Sequence, residues 1–179
     1  MGGIDKPGLL LNGRTLRARV VSAVADAEVV LLVGPPSPED ADLPTSVVRL
    51  REEPPLGGPL AALAAALPHV ETELVVVLAA DLVDAAALPA ALLAALLADP
   101  DADAAVAVDE TGRRQWLAAA YRTPAVRRSL DALLVLDGVE GHRFGDLVDL
   151  LRVVDVPRTD VADIDTPDDL ARARERHPE

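Results

Sequence analysis

The chain contains no cysteine. That excludes disulfides, thiolate metal sites and cysteine nucleophiles, and it suits a reducing compartment. Aromatic residues make up only 2% of the sequence, and Trp116, Tyr121 and Phe144 are the whole supply. A ligand site built from stacked rings is therefore excluded, and the core must come from alanine, leucine and valine. Lysine is reduced to a single residue, Lys6, beside sixteen arginines, and the formal net charge is −13. So acidic a surface repels a polyphosphate backbone, which argues against nucleic acid as a partner. No apolar run approaches the length needed to cross a bilayer. No basic start followed by an apolar stretch appears at Met1. The expectation is a cytoplasmic protein with no membrane contact.

Half of the 179 residues are apolar, enough to bury a sizeable core in a single domain spanning residues 1–179. Leu16, Val20 and Val24 recur at spacing four behind Thr15, a pattern that predicts a capped helix over Arg14 to Asp26. Glu28 to Gly34 and Leu74 to Ala80 are nearly continuous apolar runs, as expected of strands covered on both faces. Shorter strands are predicted at Ser46 to Leu50, Ala104 to Val108, Trp116 to Tyr121 and Val153 to Val156. Helices are predicted from Pro59, over Ala85 to Ala98, after Thr123, over Phe144 to Leu151 and after Thr166. This alternation predicts an α/β fold, a Rossmann-like doubly wound and largely parallel sheet with helices on both faces. Ligands of such sheets sit beyond the carboxyl ends of the strands.

That rule selects Asp81, at the end of the Leu74 to Ala80 strand, the turn at Gly34, and the loop Arg51 to Gly58. A carboxylate at Asp81 suits Mg²⁺, which takes few protein ligands beside phosphate oxygens; the plainer reading is a helix cap. Lys6 can neutralise phosphates, although an isolated lysine is ordinarily a solvated surface group. Gly57-Gly58-Pro59 combines backbone freedom with a helix start, whose free N–H groups attract anions; the plainer reading is an ordinary loop-to-helix junction. Asp163 and Asp165 precede the last helix, where Thr166 reads as its cap and Asp165 stays open. Arg113, Arg114 and Gln115 form either an anion contact or a solvated hairpin.

Taken in order, these segments form a series. It runs Gly2-Gly3-Ile4-Asp5-Lys6-Pro7, Leu11-Asn12-Gly13-Arg14-Thr15-Leu16, Gly57-Gly58-Pro59-Leu60-Ala61, Ala80-Asp81, Gln115-Trp116-Leu117 and Asp163-Ile164-Asp165-Thr166-Pro167. The series resembles the molybdenum cofactor guanylyltransferase family over nearly the whole chain. The resemblance implies a fold like that of nucleotide-diphospho-sugar transferases, GTP as substrate, Mg²⁺ as cofactor and a molybdopterin-type acceptor. A molybdoenzyme or another protein of the cofactor pathway would be a partner.

Carried over by residue, Lys6 and Asp81 would be catalytic and Asp81 the metal ligand. Gly2, Gly3, Gly34, Glu53, Gly57, Gly58 and Pro59 would join them around the nucleotide, while Gln115 and Asp165 would face the acceptor. Three positions depart from the family pattern. The family opens with a strand and a Leu-Ala-Gly-Gly loop, of which Gly2-Gly3 is the end; the expectation is that Met1 is internal to a longer natural protein or that the gene is a degenerate copy. Glu53 stands where an aspartate is usual, and Leu82-Val83 where a proline follows the metal aspartate. The alternatives are a cytidylyltransferase or other NTP transferase acting on a phosphate acceptor, and a non-catalytic nucleotide- or cofactor-binding homologue.

Overall fold

A computed structural model describes residues 5–137 and 142–158. A single turn over Lys6–Gly8 leads into a two-residue hairpin, β1 (Leu10–Leu11) and β2 (Arg14–Thr15). Asn12 and Gly13 make its corner with φ of 51° and 71°, the left-handed pair that Asn-Gly favours. The first helix, α1 (Leu16–Ala23), therefore begins two residues later than the sequence pattern suggests. The Thr15 hydroxyl caps it by accepting from the Ala18 N–H at 3.1 Å.

β3 (Leu31–Val33), a turn over Pro38–Asp42, β4 (Val48–Leu50) and α2 (Gly58–Ala66) follow. Then come β5 (Leu74–Leu78), α3 (Leu88–Ala98), β6 (Ala104–Val108), β7 (Arg114–Arg122), α4 (Thr123–Asp137), α5 (Phe144–Val148) and β8 (Val153–Pro157). α3 starts at Leu88 rather than Ala85, with Pro89 in its first turn, where a missing N–H costs nothing.

The α/β class and the two covered faces are as the sequence predicts, but the main sheet is mixed rather than largely parallel. Its order is β5-β7-β6-β8, and β7 runs antiparallel to both neighbours. The physical reason is the β6–β7 connection, which is far too short for the crossover that parallel strands require. Asp109 closes it instead, accepting from the N–H groups of Thr111 and Arg113.

Side-chain alternation along β6 and β7 divides the core in two. Ala104, Val106, Ala119 and Tyr121 pack with α2, α4 and α5, whereas Ala105, Ala107, Ala118 and Ala120 pack under the Leu88, Leu92 and Leu96 face of α3. The small side chains on the sheet let α3 lie close, which is how a chain poor in aromatics still fills its interior.

β3 and β4 form a separate parallel ladder. Among the described residues, β3 pairs only with β4 and β5 only with β7. Every residue of β3 and β5 is half-buried rather than buried. Leu32 and Val33 of β3, Leu50 of β4 and Ala80 beyond β5 nevertheless line one cavity, so the carboxyl ends of the three strands converge. The final segment with Asp163, Asp165 and Thr166, and Gly2 and Gly3 at the start, lie outside the described residues.

Candidate functional site

The cavity at that convergence has a volume of about 460 Å³. Asp5 and Pro7, on either side of Lys6, form one wall. Gly34, Pro35 and Pro36 form a second, and Ala80, directly before Asp81, a third. Three segments far apart in sequence are thus gathered where an α/β sheet takes its ligand. Gly34 turns the chain out of β3 at φ 142°, a conformation suited to glycine, and a Cβ there would meet no atom within 4 Å. The conformation rather than crowding is what requires glycine.

Arg17, Arg49 and Arg51 also line the cavity, against one lining carboxylate, Asp5. Arg17 and Arg49 are paired with Asp5 and Asp40, so among the described residues Arg51 supplies the uncompensated positive charge at this mouth of a protein with net charge −13. Arg51 forms no hydrogen bond or ion pair with a described residue. Arg17 is buried and divides its guanidinium between two carboxylates. One nitrogen donates to Asp40, and the other reaches both oxygens of Asp5, at 3.1 and 3.3 Å. Asp40 is buried as well, and also accepts from the Ser37 N–H at 3.0 Å and from Arg49. Sequence reasoning does not select Arg17, Asp40 or Arg49, because nothing in their local spacing announces a network closed by tertiary contact.

Burial by itself would raise the Asp40 carboxyl, but the Ser37 N–H and the two guanidinium groups outweigh it and hold the group below its ordinary value. A carboxyl lowered by folding adds stability that is present above its unfolded value near 3.8 and is lost as pH falls through the folded one. We therefore expect acid melting below about pH 4 to depend on this residue. Asp40→Asn lowers the melting temperature at pH 7, and the gap to the wild type narrows as pH falls toward 3. A gap that stays constant with pH in thermal scans contradicts the assignment.

Asp81 is half-buried in the turn after β5 and makes no hydrogen bond or ion pair with a described residue. Its turn is held from both sides. Leu82 and Val83 are buried in two different core clusters, and Arg19 of α1 donates to the Val83 carbonyl at 3.4 Å. Burial thus supplies the rigidity that a proline would give at this point. No three His, Asp or Glu side chains converge on a metal site among the described residues. A single uncommitted carboxylate does fit Mg²⁺, which is held by one or two carboxylates together with the phosphates of its substrate.

In the loop before α2 the structure separates two neighbouring acids. Glu53, the acid chosen from the sequence, is exposed, whereas Glu52 is 6% exposed. Glu52 Oε1 accepts from the Leu56 N–H at 2.8 Å, while Oε2 is buried without a hydrogen-bond partner. Leu56 sits at φ 63° and is 80% exposed. A left-handed leucine costs on the order of 1–3 kcal/mol, and the Glu52 carboxylate is what holds it there. Gly57, Gly58 and Pro59 are exposed at the start of α2, with Gly58 at φ 81° and open space around it.

Gln115 lies on β7 apart from this cavity. Its amide donates to Asp109 at 2.7 Å. The Thr111 hydroxyl, the Arg113 N–H and Gln115 lower the Asp109 carboxyl to about 2. Arg114 pairs with Asp155 at 2.6 Å and lies over the Trp116 ring. The described residues therefore show Gln115 ordered within its hairpin and do not bring it beside Lys6 and Asp81.

The fold and the cavity together define an α/β domain with an arginine-bearing cavity beyond the ends of its strands. The chain belongs to the family described as the MobA-like NTP transferase domain, whose profile matches residues 1–147. Among solved structures it is similar to the 2-C-methyl-D-erythritol 4-phosphate cytidylyltransferase of Francisella tularensis, at a TM-score of 0.76 and 13% identity over 98% of this chain and 94% of that one. It is similar also to the corresponding Thermus thermophilus enzyme, at a TM-score of 0.68 and 24% identity over 96% and 92% of the two chains. The molybdopterin-guanine dinucleotide biosynthesis protein A of Archaeoglobus fulgidus gives a TM-score of 0.68 and 21% identity over 97% and 91%. At these identities the likeness is one of fold. No protein of curated function matches the chain by sequence. Among the described residues no helix is long and apolar enough to cross a membrane.

Proposed function

We propose that the protein transfers GMP from GTP to the phosphate of a molybdopterin-type acceptor. The observation that carries this reading is the arginine-lined cavity where β3, β4 and β5 end, with Lys6 and Asp81 each adjoining residues of its wall. An acceptor phosphate oxygen attacks the α-phosphorus, the bond from that phosphorus to the bridging oxygen breaks, and pyrophosphate leaves with the bond's electrons. Lys6 and Arg51 neutralise phosphate charge as it shifts toward the leaving group. Asp81 would hold Mg²⁺, whose contribution when bound is to screen the same phosphates. The Gly34 turn shapes the nucleoside wall, and the open space at Gly58 lets a ligand approach the main chain. Glu53, exposed in the loop before α2, remains the proposed contact to the base. Gln115 and Asp165 remain the proposed acceptor contacts.

Cytidylyl transfer is the competing reading, since two of the structural relatives named above are cytidylyltransferases. Pyrophosphate release is to be measured with each of the four NTPs, Mg²⁺ and molybdopterin or its molybdenum-loaded form. The expected result is turnover with GTP, lost in the absence of acceptor. Preference for CTP, or binding of GTP without turnover, overturns the reading. Titration calorimetry supplies the parallel test of Lys6. Lys6→Ala weakens binding of Mg·GTP about tenfold or more. Lys6→Arg weakens it less, because the charge survives but the donor geometry does not. Equal affinity for all three forms removes Lys6 from the site.

A further inference from the structure

We propose that Arg17 is a positioning residue for Lys6, acting through the Asp5 carboxylate, with the buried Arg17–Asp40 pair as its anchor. The inference rests on the reading of Lys6 as a phosphate contact. Lys6 opens the turn over Lys6–Gly8, and Asp5 is the residue immediately before it. The Asp5 carbonyl accepts from the Gly8 N–H at 3.2 Å, and its side chain folds back over the same turn. A Cβ on Gly8 would stand 2.8 Å from Asp5 Oδ2. The carboxylate and the lysine turn are therefore one packed unit.

Arg17 holds that carboxylate, one guanidinium nitrogen reaching both of its oxygens. The Ser37 hydroxyl lies 2.9 Å from Oδ2 and shares its single proton between Asp5 and Glu39. The Asp5 side chain is 46% exposed, and an ion pair so open to water adds little to stability. One guanidinium nitrogen seated between its two oxygens does restrict its orientation. Arg17, in contrast, is 8% exposed, and a buried guanidinium needs a partner that cannot drift. Asp40 is such a partner, pinned by the Ser37 N–H and by Arg49 of β4. Position is thus handed from β4 and the turn over Pro38–Asp42 through Asp40 and Arg17 to Asp5 and the Lys6 turn. All of these segments except the 38–42 turn contribute to the cavity wall.

The test uses a property of the sequence. Lys6 is the single lysine, so reductive methylation with ¹³C-formaldehyde labels one side chain and the α-amine, which titrates lower and is told apart by pH, and the Lys6 NMR signal reports its surroundings at fixed pH. Affinity is measured separately on unlabelled protein. Arg17→Met and Asp5→Asn are each expected to move the Lys6 signal and to weaken Mg·GTP binding about tenfold. The double variant should do no more than the larger single change, because both act through one chain of contacts. Leu92→Ala in α3, which contributes nothing to the cavity wall, serves as the control. It lowers the melting temperature but leaves the Lys6 signal and the affinity at wild-type values. A folded Arg17→Met or Asp5→Asn with unchanged Lys6 signal and affinity overturns the proposal, as does full additivity in the double variant. If Arg17→Met does not fold, the half-exposed Asp5→Asn carries the decision. If the wild type binds no nucleotide, the functional reading fails, and the Lys6 signal still decides whether Arg17 positions this turn.

Discussion

Asp81→Asn is expected to lower nucleotidyl transfer by at least about 100-fold, which corresponds to roughly 2.7 kcal/mol of transition-state stabilisation. The same substitution should leave the melting temperature close to that of the wild type. The two halves of this expectation come from different observations. Asp81 makes no hydrogen bond or ion pair with a described residue, so its charge supports nothing in the fold. The turn around it is fixed by the buried side chains of Leu82 and Val83, which the substitution does not touch. What is removed is the negative charge that, in the proposed function, would hold a divalent cation beside the phosphates. Pyrophosphate release and thermal denaturation monitored by circular dichroism measure the two halves. Near-normal turnover removes the metal role. A large loss of stability instead makes Asp81 a structural residue.

Leu92→Ala is expected to cost about 3 kcal/mol, within the usual 2–5 kcal/mol for a buried leucine. For a chain of this size each kcal/mol shifts the melting temperature by roughly 2–4 °C, so a fall of about 6–12 °C follows. Leu92 is fully buried between α3 and the alanine face of β6 and β7. Those alanines have no side-chain length with which to move in and fill the space, so the cavity persists and its cost is not relieved. A fall of less than about 3 °C would mean that α3 does not rest on the sheet in this way.

The elements that were legible in the sequence are those whose signals are local. Apolar runs marked β3 and β5, and Thr15 and Pro59 marked helix starts. Asn12-Gly13 carries a strong turn signal, but the helix predicted over Arg14 to Asp26 takes in Arg14 and Thr15, which pair in β2 instead. The antiparallel placement of β7 followed from the shortness of its connection to β6, whereas its insertion between β5 and β6 is a choice of tertiary packing. The site divides along the same line. The rule of strand ends selects Gly34, Asp81 and the loop from Arg51, and the structure gathers Gly34, Arg51 and Ala80, the residue before Asp81, at one cavity. That Glu52 is buried while its neighbour Glu53 is exposed is not legible in an irregular loop, where no periodicity tells inside from outside. The Arg17–Asp40–Arg49 network joins α1, a single turn and β4, and only folding brings them together.

The separation of the two ladders has a consequence for how the molecule opens. Among the described residues the bonds between β3 and β4 and those of the four-stranded sheet share no strand, so breaking one set does not unzip the other. Cooperative units of this kind open with free energies of their own. The β3–β4 unit carries Gly34, Arg49 and Arg51, whereas β5 leads to Asp81. A ligand touching both walls bridges two units that the backbone leaves independent. Part of its binding energy would then be spent on suppressing relative fluctuation, and the bound protein would exchange its β3 and β4 amide hydrogens more slowly without any change of shape.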